Sequence, residues 1–223
     1  GDIVISTGAG QYARGISAVS LNLGDVEILN TGDVSVSSSA IYTIGLYAMA
    51  DDGSVSLENS GDIKSFSYNS ASGIVASAAG VTRIKNSGDV YVISGYSSAT
   101  GILATSDLSY VAVKNTADIQ SKGDLGAFGI LSDAYIVSNI RNTGDINVEA
   151  RHGSTFGISS HTSIGGSGVY NDGDISTSSN KSGDSFGIYS VSEAQNSYVS
   201  NTGQIDVYAF DGDGFGIFAQ AAG

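Results

Sequence analysis

Cysteine, proline and tryptophan are absent from this sequence of 223 residues, and methionine occurs only once. Without cysteine the chain has no disulfide, no thiolate ligand for a metal and no cysteine nucleophile. No run of about eighteen apolar residues occurs, which excludes a membrane-spanning helix. We therefore predict neither membrane insertion nor covalent cross-links.

Basic residues are scarce, because nine Lys and Arg stand against twenty-two Asp and Glu, giving a formal net charge of −13. Such a chain repels the phosphates of nucleic acids and anionic lipids, so we predict no nucleic-acid partner. Leu, Glu and Lys are few, whereas glycine occurs 31 times and serine is abundant. This composition favours short strands joined by turns over helices.

The chain repeats one pattern about eight times. A Gly-Asp-aliphatic step recurs every 27 to 31 residues, and a Gly-aliphatic step recurs every 28 to 30. The acidic positions are Asp2, Asp33, Asp62, Asp89, Asp118, Asp145 and Asp174, with Gln204 in the eighth place. The glycines of the second step are Gly15, Gly45, Gly73, Gly101, Gly129, Gly157, Gly187 and Gly216. This periodicity predicts a solenoid, in which each repeat buries its apolar face against its neighbours.

Each repeat divides into three apolar segments with a period of two residues. The first follows the Gly-Asp step, as with Val90 and Val92, and the second pairs Ile102 with Ala104. The third places an aliphatic residue two positions before an asparagine, as Ile84 does before Asn86. Alternation of this kind is typical of half-buried strands.

Three strands per repeat predict an all-β fold: a single right-handed parallel β-helix, or β-solenoid, of about eight coils of 27–31 residues. The predicted domain occupies residues 1–223, because no shift in composition marks a boundary. The right-handed winding follows from the usual hand of parallel crossovers.

Two explanations fit the acidic column. In the first, the preceding glycine takes a positive φ in a turn and the Asp side chain accepts backbone N–H groups. Ala117 replaces that glycine in one coil, so this explanation predicts that its turn is strained or of another type. The alternative is Ca²⁺ bridging of the Asp residues, since like charges about 5 Å apart repel by about 0.8 kcal/mol in water. We favour the turn and predict that the fold needs no cofactor.

The asparagine of the third segment recurs in seven coils, and we predict that its side chain points inward and donates to the equivalent amide of the next coil. Glycosylation is the weaker alternative, because Asn30-Thr31-Gly32 and its equivalents lack the acceptor hydroxyl.

A phenylalanine precedes the glycine of the second segment in the last four repeats, at Phe128, Phe156, Phe186 and Phe215. Strand alternation predicts an internal aromatic stack, and an exposed row of rings for carbohydrate binding is the alternative.

The sequence assigns no catalytic, cofactor-binding or metal-ligating residue. Polysaccharide-cleaving chemistry needs carboxylates and a base that converge on a cleft formed by longer loops, and no loop departs far from the period. His152 and His161 are the only histidines. Serine and aspartate are so abundant that a Ser-His-Asp match is uninformative. We therefore predict that the protein is not an enzyme.

The combination of Asn-x-Gly-Asp-Ile, Gly-Ile and Val-x-Asn, present along essentially the whole chain, resembles the repeats of β-helical passenger domains of bacterial autotransporters and related large surface adhesins. The resemblance implies secretion to the bacterial cell surface and a role in adhesion, aggregation or display.

Neither end carries an atypical polar or helical cap, since the chain starts at Gly1 within a first segment and stops at Gly223 before a third. Open coil ends expose strand edges, so we expect a segment of a longer array or end-to-end stacking with itself. The predicted function is that of an extracellular structural or adhesive β-solenoid, which would serve as a rigid stalk, an adhesin segment or a filament subunit. Besides the chain itself, the predicted partners are glycans or proteins of host or neighbouring cells. The alternative is a carbohydrate-binding or polysaccharide-cleaving β-helix protein.

Overall fold

The structure is a computed structural model that describes residues 1–8, 12–39 and 41–222. Gly223, on which the expectation of an open C-terminal end partly rests, lies outside these residues. The regular structure of the described ranges consists of strands, numbered β1 to β23 in chain order, and these ranges contain no helix that could span a membrane.

The strands form three parallel sheets, and each coil contributes one strand to each sheet in turn. Sheet 1 consists of β1 (Ile3–Thr7), β4 (Val34–Ser38), β7 (Ile63–Ser67), β10 (Val90–Ser94), β13 (Ile119–Gly123), β16 (Ile146–Ala150), β19 (Ile175–Ser179) and β22 (Ile205–Ala209). Sheet 2 consists of β2 (Tyr12–Ser20), β5 (Tyr42–Ala50), β8 (Ser70–Ala78), β11 (Ser98–Ser106), β14 (Gly126–Ala134), β17 (Thr155–Thr162), β20 (Ser185–Ser192) and β23 (Gly214–Ala221). Sheet 3 consists of β3 (Val26–Asn30), β6 (Val55–Asn59), β9 (Thr82–Asn86), β12 (Tyr110–Asn115), β15 (Val137–Asn142), β18 (Ser167–Asn171) and β21 (Ser197–Asn201).

Equivalent residues of successive coils pair directly. Val90 is paired with Ile63 on one side and with Ile119 on the other, and Asn115 likewise lies between Asn86 and Asn142. The predicted parallel β-solenoid with three strands per coil is therefore confirmed, with about seven complete turns. The right-handed winding stays a prediction.

The core is a set of aliphatic columns that run along the solenoid axis. Inward residues such as Ile63, Ile102 and Ile140 have at most 1% of their surface exposed, whereas their strand neighbours alternate toward solvent. Burial of these side chains between the three sheets supplies the main driving force for folding, about 1.5–3 kcal/mol for each large aliphatic side chain. Each coil depends on its neighbours to complete this burial.

The inward asparagine column is confirmed. The Nδ2 atoms of Asn30, Asn59, Asn86, Asn115, Asn142 and Asn171 each donate to the Oδ1 atom of the asparagine one coil on, at 2.7–2.8 Å. Each Nδ2 atom also donates to the backbone carbonyl two residues ahead, as Asn86 does to Gly88 at 2.7 Å. The column thus satisfies buried polar groups at the turn between sheets 3 and 1.

The glycine of the second segment is required by close approach of neighbouring coils. An added Cβ atom on Gly101 would lie 2.4 Å from the Ile119 side chain and 2.6 Å from the carbonyl oxygen of Gly129. The equivalent glycine of every described coil but the last meets the same two obstacles, an aliphatic side chain of sheet 1 and the next glycine carbonyl. No side chain fits at this corner without displacing backbone.

The turn glycine before each Asp serves the same purpose, and the predicted positive φ is wrong. Gly183 alone has a positive φ among the described residues, and it lies in another loop. A Cβ atom on Gly61 would lie 2.1 Å from the Gly32 carbonyl oxygen, so glycine lets the neighbouring turns stack closely without a shift of the backbone. Ala117 keeps the same turn, because Asn115 donates to its carbonyl oxygen at 2.6 Å as in the other coils.

Candidate binding surfaces

Stacking in register turns every outward position into a straight column. Residues that pair across a sheet lie about 4.8 Å apart, so equivalent outward side chains of adjacent coils are in contact. The chemistry of each outer face is therefore decided by which residue types recur at one position of the repeat. Three such columns carry charged or aromatic groups.

The acidic column lies at the turn that leads into sheet 1. From Asp2 to Asp174, each Oδ1 atom accepts the backbone N–H of the equivalent residue one coil on, at 2.7–3.2 Å. These bonds satisfy amides at the turn and confirm the predicted role of Asp as an acceptor of backbone N–H groups. Across the parts of the chain that the structure describes, no group of three or more His, Asp or Glu side chains is arranged to hold a metal ion. Calcium bridging stays an untested alternative.

Both histidines are held by carboxylates. The two ring nitrogens of His161, on the outer face of β17, lie 2.9 Å from Asp133 Oδ1 and 3.1 Å from Glu193 Oε1. The hydrogen bond to Asp133 raises the pKa of His161 above its usual 6.5, and the bond to Glu193 adds to this rise against the opposing effect of partial burial. His152 Nδ1 lies 3.2 Å from Asp124 Oδ1. Among the hydrogen bonds of the described residues, both imidazoles pair with carboxylates and neither pairs with a hydroxyl group.

The phenylalanine column lies on the outer face of sheet 2, so the predicted internal stack is wrong. In β14 the residues Gly129 and Ile130 are both buried in succession, and this break in alternation turns Phe128 outward, where it is half-buried. The rings stack on one another with centroids 4.8–5.3 Å apart and planes within 8° of parallel. Phe156 and Phe186 are covered on both faces by neighbouring rings, so these faces are not free to stack on a sugar.

A basic face lies on the outer side of sheet 3. It consists of Arg83 and Lys85 on β9, Lys114 on β12 and Arg141 on β15, all of which are exposed. Lys85, Lys114 and Arg141 form one column, because β9, β12 and β15 pair in register at these residues.

Tyrosine rings and one glutamate border the basic face. The guanidinium groups of Arg83 and Arg141 each lie 5.1 Å from the centre of a ring, that of Tyr110 and that of Tyr170 respectively. Lys85 forms an ion pair with Glu58. Among the ion pairs of the described ranges, neither Lys114 nor Arg141 has a carboxylate partner.

Shallow grooves follow the charged columns. Three grooves of 280, 240 and 200 Å³ meet at Lys114, and two of them also include Arg141. Two further grooves, of 370 and 520 Å³, follow the acidic column along the outer edge of sheet 1. The turn that carries the asparagine and Asp columns separates the basic face from the acidic grooves.

Lys85, Lys114 and Arg141 each stand between an inward aliphatic residue and an inward asparagine, so strand alternation places them outward, but the sequence analysis did not identify them as a surface and did not single out Arg83. A usable signal was present, because three consecutive repeats place a basic residue immediately before the recurrent asparagine of the third segment. The three pairs are Lys85-Asn86, Lys114-Asn115 and Arg141-Asn142. In a chain with a net charge of −13, such a row departs from the average composition.

Comparison with known proteins identifies one family. The family model described as the BigA third pectate lyase-like domain matches residues 3–223, nearly the whole chain. No match was found among curated proteins or among solved structures.

Proposed function

Because this chain belongs to the family of the BigA third pectate lyase-like domain, a domain of bacterial surface proteins, we propose that it is a non-enzymatic adhesive β-solenoid on the bacterial cell surface. Its mechanical role is to hold outward columns of side chains in fixed positions on a rigid support. Its partners are glycans or proteins of host or neighbouring cells, and it binds them without a cofactor.

One observation carries this proposal: the register of the three sheets is unbroken from Ile3 to Ala221. Catalysis of polysaccharide cleavage would require an acid and a base to converge on a cleft, usually formed where long loops leave the coil. Here the ionisable side chains lie in columns or in pairs such as His161 with Asp133, and the grooves beside them are shallow. Columns of this kind suit repeated, weak surface contacts.

The resemblance to autotransporter passengers and adhesins adds the finer part of the proposal, which is secretion to the cell surface and a role in adhesion, aggregation or display.

Bead adhesion tests the proposed function. Beads coated with the purified chain should attach to epithelial and bacterial cell layers well above beads coated with albumin, and attachment should persist after exhaustive removal of divalent cations. Attachment equal to that of albumin would contradict an adhesive role. Release of reducing or unsaturated sugars from acidic polysaccharides incubated with the chain would instead support the polysaccharide-cleaving alternative, which the family description "pectate lyase-like" keeps open.

A further inference from the structure

We propose that the basic face is a binding site for acidic glycans, meaning oligosaccharide chains that carry carboxylate or sulfate groups, and that the glycan lies along the solenoid axis. The proposal rests on the adhesive function and names its ligand class. Its starting point is a local reversal of charge: four of the nine basic residues, Arg83, Lys85, Lys114 and Arg141, lie on three neighbouring strands of one face.

The basic column is electrostatically unsatisfied. Like charges on adjacent coils repel each other, so a row of cations is unfavourable unless anions neutralise it. Glu58 neutralises Lys85, whereas Lys114 and Arg141 take part in none of the ion pairs of the described residues. An anionic group placed between Lys114 and Arg141 would relieve this repulsion, and the groove of 200 Å³, which all four basic residues line and no carboxylate does, offers a place for it.

The guanidinium groups are positioned in advance. Tyr110 and Tyr170 hold Arg83 and Arg141 by cation–π contacts, and Arg83 also donates to the Tyr110 hydroxyl. A guanidinium held in one orientation loses less freedom on binding, and its planar fork matches a carboxylate or sulfate through two parallel hydrogen bonds. The rings therefore help the arginines to bind anions of these shapes.

The spacing of charge favours a glycan over a nucleic acid. The basic column extends over two coil steps, about 10 Å, and offers one cation per step of about 4.8 Å. Duplex DNA carries one phosphate per about 1.7 Å of helix axis and would extend beyond this strip toward the acidic grooves, where it would be repelled. A short stretch of a sugar chain with one anionic group on each sugar or every second sugar fits within the strip.

Titration of labelled oligosaccharides tests the proposal. The probes are size-defined oligosaccharides of heparin, which carries sulfates and carboxylates, and of hyaluronan, which carries carboxylates only, with dextran as a neutral control. We expect saturable binding of heparin that weakens with added salt. Binding of hyaluronan would identify carboxylates as sufficient, whereas binding of heparin alone would identify sulfate as the recognised group.

A matched pair of variants locates the site. Lys114→Glu with Arg141→Glu should weaken heparin binding at least tenfold, whereas Lys64→Glu with Lys181→Glu, which changes the net charge equally at exposed residues of other surfaces, should weaken it less than threefold. Circular dichroism and the midpoint of thermal unfolding should be unchanged in both variants, because all four side chains point to solvent.

Several results would overturn the proposal. The first three are absence of heparin binding, an equal loss of heparin affinity in both variants, and binding of duplex DNA as tight as that of heparin. The fourth is self-association of the chain that depends on concentration and is abolished only by the basic-face variant, in the absence of glycan binding. The bead assay described above separates the two proposals. Cell attachment by a chain that binds no acidic glycan would support the adhesive function and contradict the glycan site. Glycan binding without cell attachment would support the glycan site and contradict the adhesive function.

Discussion

The column formed by Gly101 and its equivalents in sheet 2 offers the sharpest test of how the coils stack. We consider Gly101→Ala, in the middle of the solenoid. The added methyl group would lie 2.4 Å from the Ile119 side chain and 2.6 Å from the Gly129 carbonyl oxygen, both well inside van der Waals contact. The carbonyl belongs to a paired strand, so it cannot move without disturbing hydrogen bonds between coils.

Overpacking of this kind costs about 1–3 kcal/mol, whereas a Gly→Ala change that meets no obstacle stabilises by about 0.4–1 kcal/mol through the unfolded chain. Gly216→Ala is the matched control, because nothing lies within 4 Å of an added Cβ atom there. Gly101→Ala should therefore lower the free energy of unfolding by about 1–2 kcal/mol, and Gly216→Ala should leave it unchanged or raise it slightly.

Urea unfolding followed by far-ultraviolet circular dichroism measures both variants, and the slope of the transition reports whether the chain still unfolds as one unit. Equal stability of the two variants would refute the explanation of the glycine column by close approach. A destabilised Gly216→Ala would also contradict it, because that position offers free space.

Three further variants test the interior and one charge pair. Asn115→Ala should lower the free energy of unfolding by roughly 2–4 kcal/mol, because it removes the hydrogen-bond partner of one buried N–H of Asn86 and of the buried Oδ1 atom of Asn142, whereas exposed Asn147→Ala should change it by less than about 0.5 kcal/mol; urea unfolding compares them. Ser121→Val should raise the melting temperature, because its buried hydroxyl has no hydrogen-bond partner, while Ser65→Val in the same column should lower it by losing a 2.8 Å hydrogen bond. The stabilisation that His161 gives relative to His161→Gln should be fully present below pH 6.5 and lost as the pH rises through its raised pKa; a difference of more than about 1 kcal/mol, or one that grows toward alkaline pH, would contradict the surface ion pair.

The register of the coils could be predicted from the sequence because it depends on inward residues that repeat. An aliphatic residue such as Ile84 is required at its position in every coil, and Asn86 is needed to bond the asparagines above and below it. The sequence states these requirements as many times as there are coils. Periodicity therefore gave the sheets, the asparagine column and the inward faces directly.

The outward faces were harder to predict, for two physical reasons. Simple alternation placed Phe128 inside, but the crowded corner at Gly129 brings two successive residues inward and reverses the side on which the preceding ring lies. The basic face escaped notice because the core places no constraint on outward residues such as Lys114. Its meaning depends on which strands pair, and only the paired strands show that Arg83 belongs beside the column.

The turn glycines were assigned to the right positions for the wrong reason. A positive φ is the usual explanation for a recurrent glycine in a turn, whereas Gly61 avoids a close contact, because the neighbouring turn approaches to within 2.1 Å of where a Cβ atom would lie. Contacts between coils cannot be read from one turn in isolation. Ala117 keeps the turn without a positive φ, so one coil accommodates a methyl group at this position.

Cysteine cross-linking tests the central claim that equivalent residues of successive coils lie directly over one another. The chain has no cysteine of its own, so each introduced pair reports a single distance. Gln120→Cys with Asn147→Cys joins exposed residues that pair in register, whose Cα atoms lie within disulfide range, while Gln120→Cys with Ser176→Cys places the thiols two coils apart. Mild oxidation should cross-link the first pair rapidly and the second hardly at all. Equal rates for the two pairs, or failure of the first, would contradict the stacked coils on which every surface described above depends.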